Sequence, residues 1–264
     1  GVIHHDHLVL AVEQKKESFK TCVNGGCQIN NRKGVLIMKR RYSKLRFVSF
    51  CMLMSAVTLS GCMEGKTGRS TAKPKYFLTA DQTHNKFSSA IPPVIKVPSG
   101  AVVEVYTQEA SDEQITADST VEDVVNMKSD PIHPITGPVY VEGAEPGDVL
   151  AVKIHKIELG EYGWQAIVPG FGFLGDEFTE AKLKIFKLGA DKKSVKFTDK
   201  ISLQLKPFAG VMGVAPETEE MLVTGPPRAN GGNMDDPSLV EGTTVYFPVF
   251  VKGALFSIGD AHAV

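Results

Sequence analysis

The chain has 264 residues, a formal net charge of −1 and 42% hydrophobic residues. This is ordinary globular composition, and the near balance of charge argues against a nucleic-acid partner, which would select a basic face. The four cysteines, Cys22, Cys27, Cys51 and Cys62, lie in the first quarter, so nothing after Cys62 forms a disulfide and the folded part rests on its core.

Cys22 and Cys27 have a CxxxxC spacing with no second pair and no nearby histidine cluster, which disfavours a zinc site there. Residues 38–61 read as a secretory signal. Lys39, Arg40, Arg41, Lys44 and Arg46 precede a short apolar run from Phe47 to Leu59. The run ends in Leu59-Ser60-Gly61-Cys62, which resembles the lipobox of bacterial lipoproteins. That resemblance implies cleavage before Cys62, lipidation of its sulfur and anchoring in the cell envelope. Met63 follows, which favours an outer-membrane destination. Residues 1–37 precede Met38, where a signal peptide should begin, and are expected to be a non-native upstream leader. Arg32-Lys33-Gly34-Val35 back-translates to a purine-rich, ribosome-binding-like string. On this reading His4, His5 and His7 carry no function. Residues 62–75 are small, polar and basic and read as a flexible tether, so the folded domain is expected over 76–264.

Within that domain Tyr76–Thr79 is the first predicted strand. Pro92 and Pro93 exclude a helix or a central strand around them. Strands are predicted over Val94–Val97 and Ala101–Thr107, with Pro98-Ser99-Gly100 as the turn between them. The same glycine turn into a β-branched run recurs at Glu145-Pro146-Gly147-Asp148 before Val149–Ile154, and at Val240-Glu241-Gly242 before Thr243–Val251. Val195–Phe197 and Ile201–Leu205 add short strands. Thr243–Val251 and Ala254–Ile258 suggest a hairpin around Lys252-Gly253. A helix is predicted over Ser119–Met127, with Ser119 or Thr120 as its N-cap, and a second over Pro216–Leu222. Gly160–Gly175 holds the only tryptophan and five glycines, so it reads as an irregular loop that covers a pocket or packs on a sheet edge. The fold class is mainly β, a β-sandwich or jelly-roll-like domain with short helices and long loops.

The most informative stretch is Ala254–His262. It reads as an apolar strand stopping at Gly259, followed by Asp260 and His262 two residues apart. Alternation places both side chains on one side of an extended backbone, an arrangement suited to a metal ion or an acid–base pair.

Five strings in order resemble the acetamidase/formamidase family. They are His84-Asn85-Lys86-Phe87 through Ile91-Pro92-Pro93-Val94, His133 through Asp148, Gly210 through Pro216, Gly231-Gly232-Asn233-Met234-Asp235, and Ser257 through His262. The resemblance spans about Gln82 to Val264. It implies a mainly β enzyme that hydrolyses short linear amides such as formamide or acetamide to a carboxylate and ammonia. Family members continue past the Gly-Asp-x-His segment with a Gln-Gly-Asp-Gly-Glu-like string and further β structure. The resemblance therefore implies a domain incomplete at its C-terminus. A lipoprotein signal is not the usual family arrangement and suggests an amide source outside the cytoplasm.

Amide hydrolysis needs an activated nucleophile, oxyanion stabilisation and protonation of the leaving amine. The domain has no cysteine and no Gly-x-Ser-x-Gly elbow. That leaves metal-activated water, or water activated by a carboxylate or histidine. Asp260, His262 and Glu142 are the catalytic candidates, and His84, His133 and Asn233 the substrate-binding candidates. Asp260 and His262 are the first metal ligands, with Asp235 as the third and His84, His133 or a residue beyond Val264 as alternatives. A divalent ion is expected, zinc favoured. Each residue also has a plainer role open to it. Asp260 caps a turn, His262 packs, His84 pins a loop, His133 between two prolines is structural, and Glu142 sits in an edge salt bridge. The competing function is a non-catalytic, exported β-rich binding lipoprotein derived from such an enzyme. Self-association into a homo-oligomer is compatible with either.

Overall fold

The computed structural model describes residues 7–16 and 74–264, with the short strands Val2–Ile3, Thr21–Val23 and Gly26–Gln28. The signal segment 38–61, the lipobox cysteine Cys62 and nearly all of the tether lie outside the described residues. Thr21–Val23 and Gly26–Gln28 pair with each other, with Cys22 opposite Cys27. No helix among the described residues is long and apolar enough to cross a membrane.

The protein is mainly β. The first sheet runs Lys182–Lys187, Tyr162–Ile167, Val2–Ile3, Phe256–His262, Ile135–Glu142, Thr83–His84. Ile95–Pro98 joins it in parallel beside Ile135–Glu142, and Phe208–Gly213 pairs with both Phe256–His262 and Gly231–Asn233. The second sheet runs Thr244–Pro248, Val149–Glu158, His7–Lys15, Ala101–Tyr106, Tyr76–Leu78. Alternation explains how the two sheets meet. Leu8, Leu10, Leu150, Val152, Val103 and Val105 of the second sheet share one core with Val139, Val141, Met212, Phe256 and Ile258 of the first. The result is a sandwich whose inner faces bury branched aliphatics.

His7–Lys15 departs from the expectation that residues 1–37 lie outside the fold and that the domain begins near Tyr76. The segment is the central strand of the second sheet, antiparallel to Val149–Glu158 on one edge and Ala101–Tyr106 on the other. Its pattern His-Leu-Val-Leu-Ala-Val has period two, and Leu8, Leu10 and Val12 are buried. His7 stacks on Tyr106 and contacts the carboxylates of Glu104 and Glu158 at 2.5 and 2.8 Å.

Other expectations hold or shift for local reasons. The helix is Val121–Asn126, capped at Thr120, whose N–H donates to the Asp123 carboxylate at 2.6 Å. Pro216–Leu222 is not a helix, and Leu222–Val223 instead pairs with Lys86–Phe87. Part of the glycine-rich stretch, Tyr162–Ile167, is a regular strand with Trp164 buried. Thr244–Pro248 and Phe256–His262 are not a hairpin, because they belong to different sheets. Ile95–Pro98 and Ala101–Tyr106 likewise part company at Gly100, whose φ of 84° turns the chain from one sheet to the other.

If His7–Lys15 is a core strand, Leu10→Ala should cost about 2–5 kcal/mol of unfolding free energy, like any buried leucine truncation. Leu150→Ala, from the neighbouring strand, is the comparison. Denaturant unfolding of both variants checks this, and a loss at Leu150 with none at Leu10 would exclude the first strand from the fold.

Candidate active site

Phe256–His262 is bonded along both edges. Gly259 pairs with Ile135 on one side and Val211 on the other. Its lack of a side chain is a packing requirement, since a Cβ would press on the Pro134 carbonyl oxygen and on Ile135 Cα. Asp260 then adopts φ 52°, in the left-handed region that Asp tolerates better than most residues. The strand is thus not regular at this point, yet the two predicted side chains meet: His262 Nε2 is 3.3 Å from Asp260 Oδ1. The His262 ring stacks on Phe208, its register partner, at 5.3 Å.

Asp235 joins them from the segment after Gly231–Asn233. The backbone N–H groups of Met234 and Asp235 both donate to the Gly210 carbonyl, at 2.9 and 3.2 Å. This pins Asp235 at φ 45° with Oδ1 3.4 Å from His262 Nε2. Gly210 is the floor of the cluster. A Cβ there would lie 2.7 Å from Asp235 Oδ1 and 2.8 Å from His262 Cδ2. Ligand atoms of Asp235, Asp260 and His262 all fall within 4.8 Å of one another.

The donor set fits a divalent ion. With bonds of about 2.0–2.2 Å, a tetrahedral zinc site has ligand–ligand edges of about 3.3–3.6 Å. The His262–Asp260 and His262–Asp235 separations match such edges, and the Asp235 and Asp260 ligand atoms lie within 4.8 Å of each other. Asp260 is 1% exposed, and its Oδ1 accepts no hydrogen bond among the described residues. Burial pushes its carboxyl up, but the imidazoles of His262 and His133 outweigh that effect and hold it below the usual carboxylate range. A buried anion with an orphaned oxygen is suited to a cation.

His133 faces the same carboxylate, with Nε2 3.9 Å from Asp260 Oδ2. Its N–H donates to the Ala110 carbonyl at 2.7 Å, its carbonyl accepts from Thr224 Oγ1 at 3.3 Å, and its φ is 56°. Three residues of the cluster, His133, Asp235 and Asp260, therefore occupy the left-handed region, as strained backbone at functional sites often does. Asn233 lies opposite Val211, which is itself opposite Gly259, and its buried Oδ1 has no partner among the described residues.

Two predicted residues stand apart. His84 Nε2 bonds the buried Ser257 hydroxyl at 2.9 Å and Nδ1 bonds the Lys86 carbonyl at 2.6 Å, so it ties the Thr83–His84 strand to the site strand. Burial lowers its pKa, against the opposing effect of the Lys86 carbonyl. Glu142 is exposed at the far end of Ile135–Glu142, seven residues from Ile135, or about 20 Å at strand rise. The alternation argument that singled it out fixed neither its face nor its distance from Asp260.

Sequence reasoning missed Gly210 as a floor and Glu109 as a wall support. Glu109 is fully buried and accepts from Trp164 Nε1 at 2.6 Å, from Ser111 N–H at 2.9 Å, from the Ser111 hydroxyl and from Glu113 N–H at 3.2 Å. Burial raises its pKa, and these donors oppose the rise. It holds Trp164, which with His133 lines a cavity of about 1010 Å³. The one available signal for Gly210 was a glycine inside an otherwise apolar strand, which often marks close approach of another group.

The model of the Acetamidase/Formamidase family matches residues 72–224 and 218–264. An acetamidase from Mycolicibacterium smegmatis is 28% identical, covering 68% of this chain and 59% of the relative. The crystal structure of a predicted acetamidase/formamidase from Thermoanaerobacter tengcongensis is 42% identical, with a TM-score of 0.67 over 72% of this chain and 61% of that one. A γ-lactamase structure from Delftia acidovorans is 27% identical, with a TM-score of 0.64 over 69% and 57%. The chain thus spans about three-fifths of the length of the relatives it matches. It belongs to the acetamidase/formamidase family.

Proposed function

We propose that this chain carries the hydrolytic site of an amidase for linear amides, and that Asp235, Asp260 and His262 hold a divalent ion, zinc favoured. The observation that carries the proposal is the convergence of these three side chains, with His133 of the cavity lining 3.9 Å from Asp260, in a chain of an amide-hydrolysing family. The amidases, formamidases and lactamase among the similar proteins support C–N hydrolysis as the reaction class.

The overall change is addition of water across the amide C–N bond. The oxygen becomes part of the carboxylate, the C–N bond breaks, and the nitrogen leaves as ammonia after gaining a proton. A bound divalent ion would polarise the carbonyl and bring the pKa of water toward neutrality. The residues of this chain do the rest. Asp260, buried and anionic, holds His262 and His133 in place and fixes local charge. His133 Nε2 faces the carboxylate from the cavity side and is the group placed to pass a proton to the leaving nitrogen. Asn233, with its unpaired amide oxygen, is placed to accept from the substrate amide N–H. Glu142 has no part in this reading.

We propose as a competing reading that Cys62 is lipidated and tethers the domain at the bacterial cell envelope; cleavage before Cys62 would remove His7–Lys15, so this reading and the core-strand assignment exclude each other. The basic residues before Phe47–Leu59 and the Leu59-Ser60-Gly61-Cys62 string support this. In cells, Cys62→Ser should move the protein from the membrane to the soluble fraction, which fractionation and blotting read directly.

Ammonia release from formamide or acetamide, lost on chelation and restored by zinc, is the expected behaviour. No ammonia from formamide, acetamide or a larger primary amide with zinc present would overturn the amidase reading. Asp260→Asn removes a direct ligand and should cost at least the roughly 10–100-fold typical of outer-shell changes. Gly210→Ala places a methyl 2.7 Å from Asp235 Oδ1 and 2.8 Å from His262 Cδ2. Zinc affinity by titration calorimetry should therefore fall about tenfold or more, and unchanged affinity would remove Gly210 from the site.

A further inference from the structure

The cavity beside His133 is far larger than formamide or acetamide needs. It measures about 1010 Å³, whereas a molecule of three or four heavy atoms takes on the order of 100 Å³, judged from water at about 30 Å³. Its walls are mostly apolar: Val125, Met127, Trp164, Val168, Phe171 and Phe173 line it, with Ser111, Ser129 and His133 as polar exceptions. His133 belongs to both places, since it lines the cavity and its Nε2 lies 3.9 Å from Asp260. One side chain, His133, therefore borders both the polar cluster and the apolar chamber.

The outer wall is unusual for a protein surface. Phe171 and Phe173 are 81% and 108% exposed, and Leu174 and Phe178 are also exposed. They follow the strand Tyr162–Ile167, which anchors one end of the loop through buried Trp164. Trp164 is fixed by its indole N–H bond to buried Glu109. Trp164 and these uncovered aromatics line one space of ligand size, at the upper end of the usual range of about 300–1,000 Å³.

We propose that this cavity is an acyl subsite and that the preferred substrates are primary amides with a bulky apolar acyl group, such as an arylalkyl or branched alkyl chain. The proposal rests on the amidase reading. The amide carbonyl sits at the Asp235–Asp260–His262 cluster, and the acyl group passes His133 into the chamber against Trp164. Phe171 and Phe173 lose their contact with water when the chamber fills.

Trp164 is the only tryptophan in the chain, so its fluorescence reports occupancy without any need for turnover. The test titrates chelator-treated protein with phenylacetamide and with acetamide, then compares turnover of both amides with zinc restored. The expected result is a saturable emission change with phenylacetamide, none with acetamide at equal concentration, and at least tenfold higher kcat/KM for phenylacetamide. Val125→Asp and Phe171→Asp, both at exposed positions, should narrow that ratio and weaken the emission change while thermal unfolding stays as in the parent. Turnover of acetamide with no emission change and no preference for phenylacetamide overturns the subsite and leaves the amidase reading. A saturable emission change with no turnover of either amide supports the subsite and overturns the amidase reading. Neither response overturns both.

Discussion

The Asp260 carboxylate is the constraint around which the site is built. It is removed from water, and one of its oxygens accepts no hydrogen bond among the described residues. Such a group is costly unless positive charge lies close by. The structure brings His262 and His133 to it from opposite directions in sequence, and places Asp235 beside His262. Two carboxylates and an imidazole whose ligand atoms lie within 4.8 Å of one another form a donor set that fits a divalent cation.

The sandwich makes this arrangement rigid. Because Phe256–His262 is bonded on both edges, Asp260 cannot relax toward solvent without breaking ladders to Ile135–Glu142 and Phe208–Gly213. Gly210 and Gly259 let neighbouring backbone and side chains approach where a methyl group would intrude. The same strand sends Phe256 and Ile258 into the shared core, where they meet Leu10 and Leu150 of the opposite sheet. Core packing and site geometry are thus two faces of one element. A second buried carboxylate, Glu109, is handled differently. It is satisfied by N–H and O–H donors around it, and it orients Trp164 and the cavity wall, with no part in the charged cluster.

The sandwich class was legible because period-two runs of branched residues between glycine turns have few other solutions. Asp260 and His262 were legible as a pair because two-residue spacing in a strand brings side chains to one side. His133, Asn233 and Asp235 were legible through family strings; His133 lies 3.9 Å from Asp260 and Asp235 3.4 Å from His262, while Asn233 sits two strands over from Gly259. Glu142 failed because alternation says nothing of position along a strand relative to a site on another strand. His84 was placed near the site strand but spends both ring nitrogens on structural bonds. His7–Lys15 was set aside because a signal-like segment follows it, although its own period-two pattern was readable as a strand.

By itself the sequence determined the mainly β character, the family, and which short strings could carry chemistry, because these depend on local periodicity and on residue type. The tertiary structure decided which strings meet. It also decided that Gly210 must be glycine, that Glu109 is buried among donors, and that the aromatic stretch after Tyr162 opens a chamber at His133. These depend on distances between segments far apart in the chain, set by sheet order and register. No local pattern encodes them. Asp260 unites both levels: its place in a strand was readable from neighbouring residues, and its burial among groups from three other segments was not.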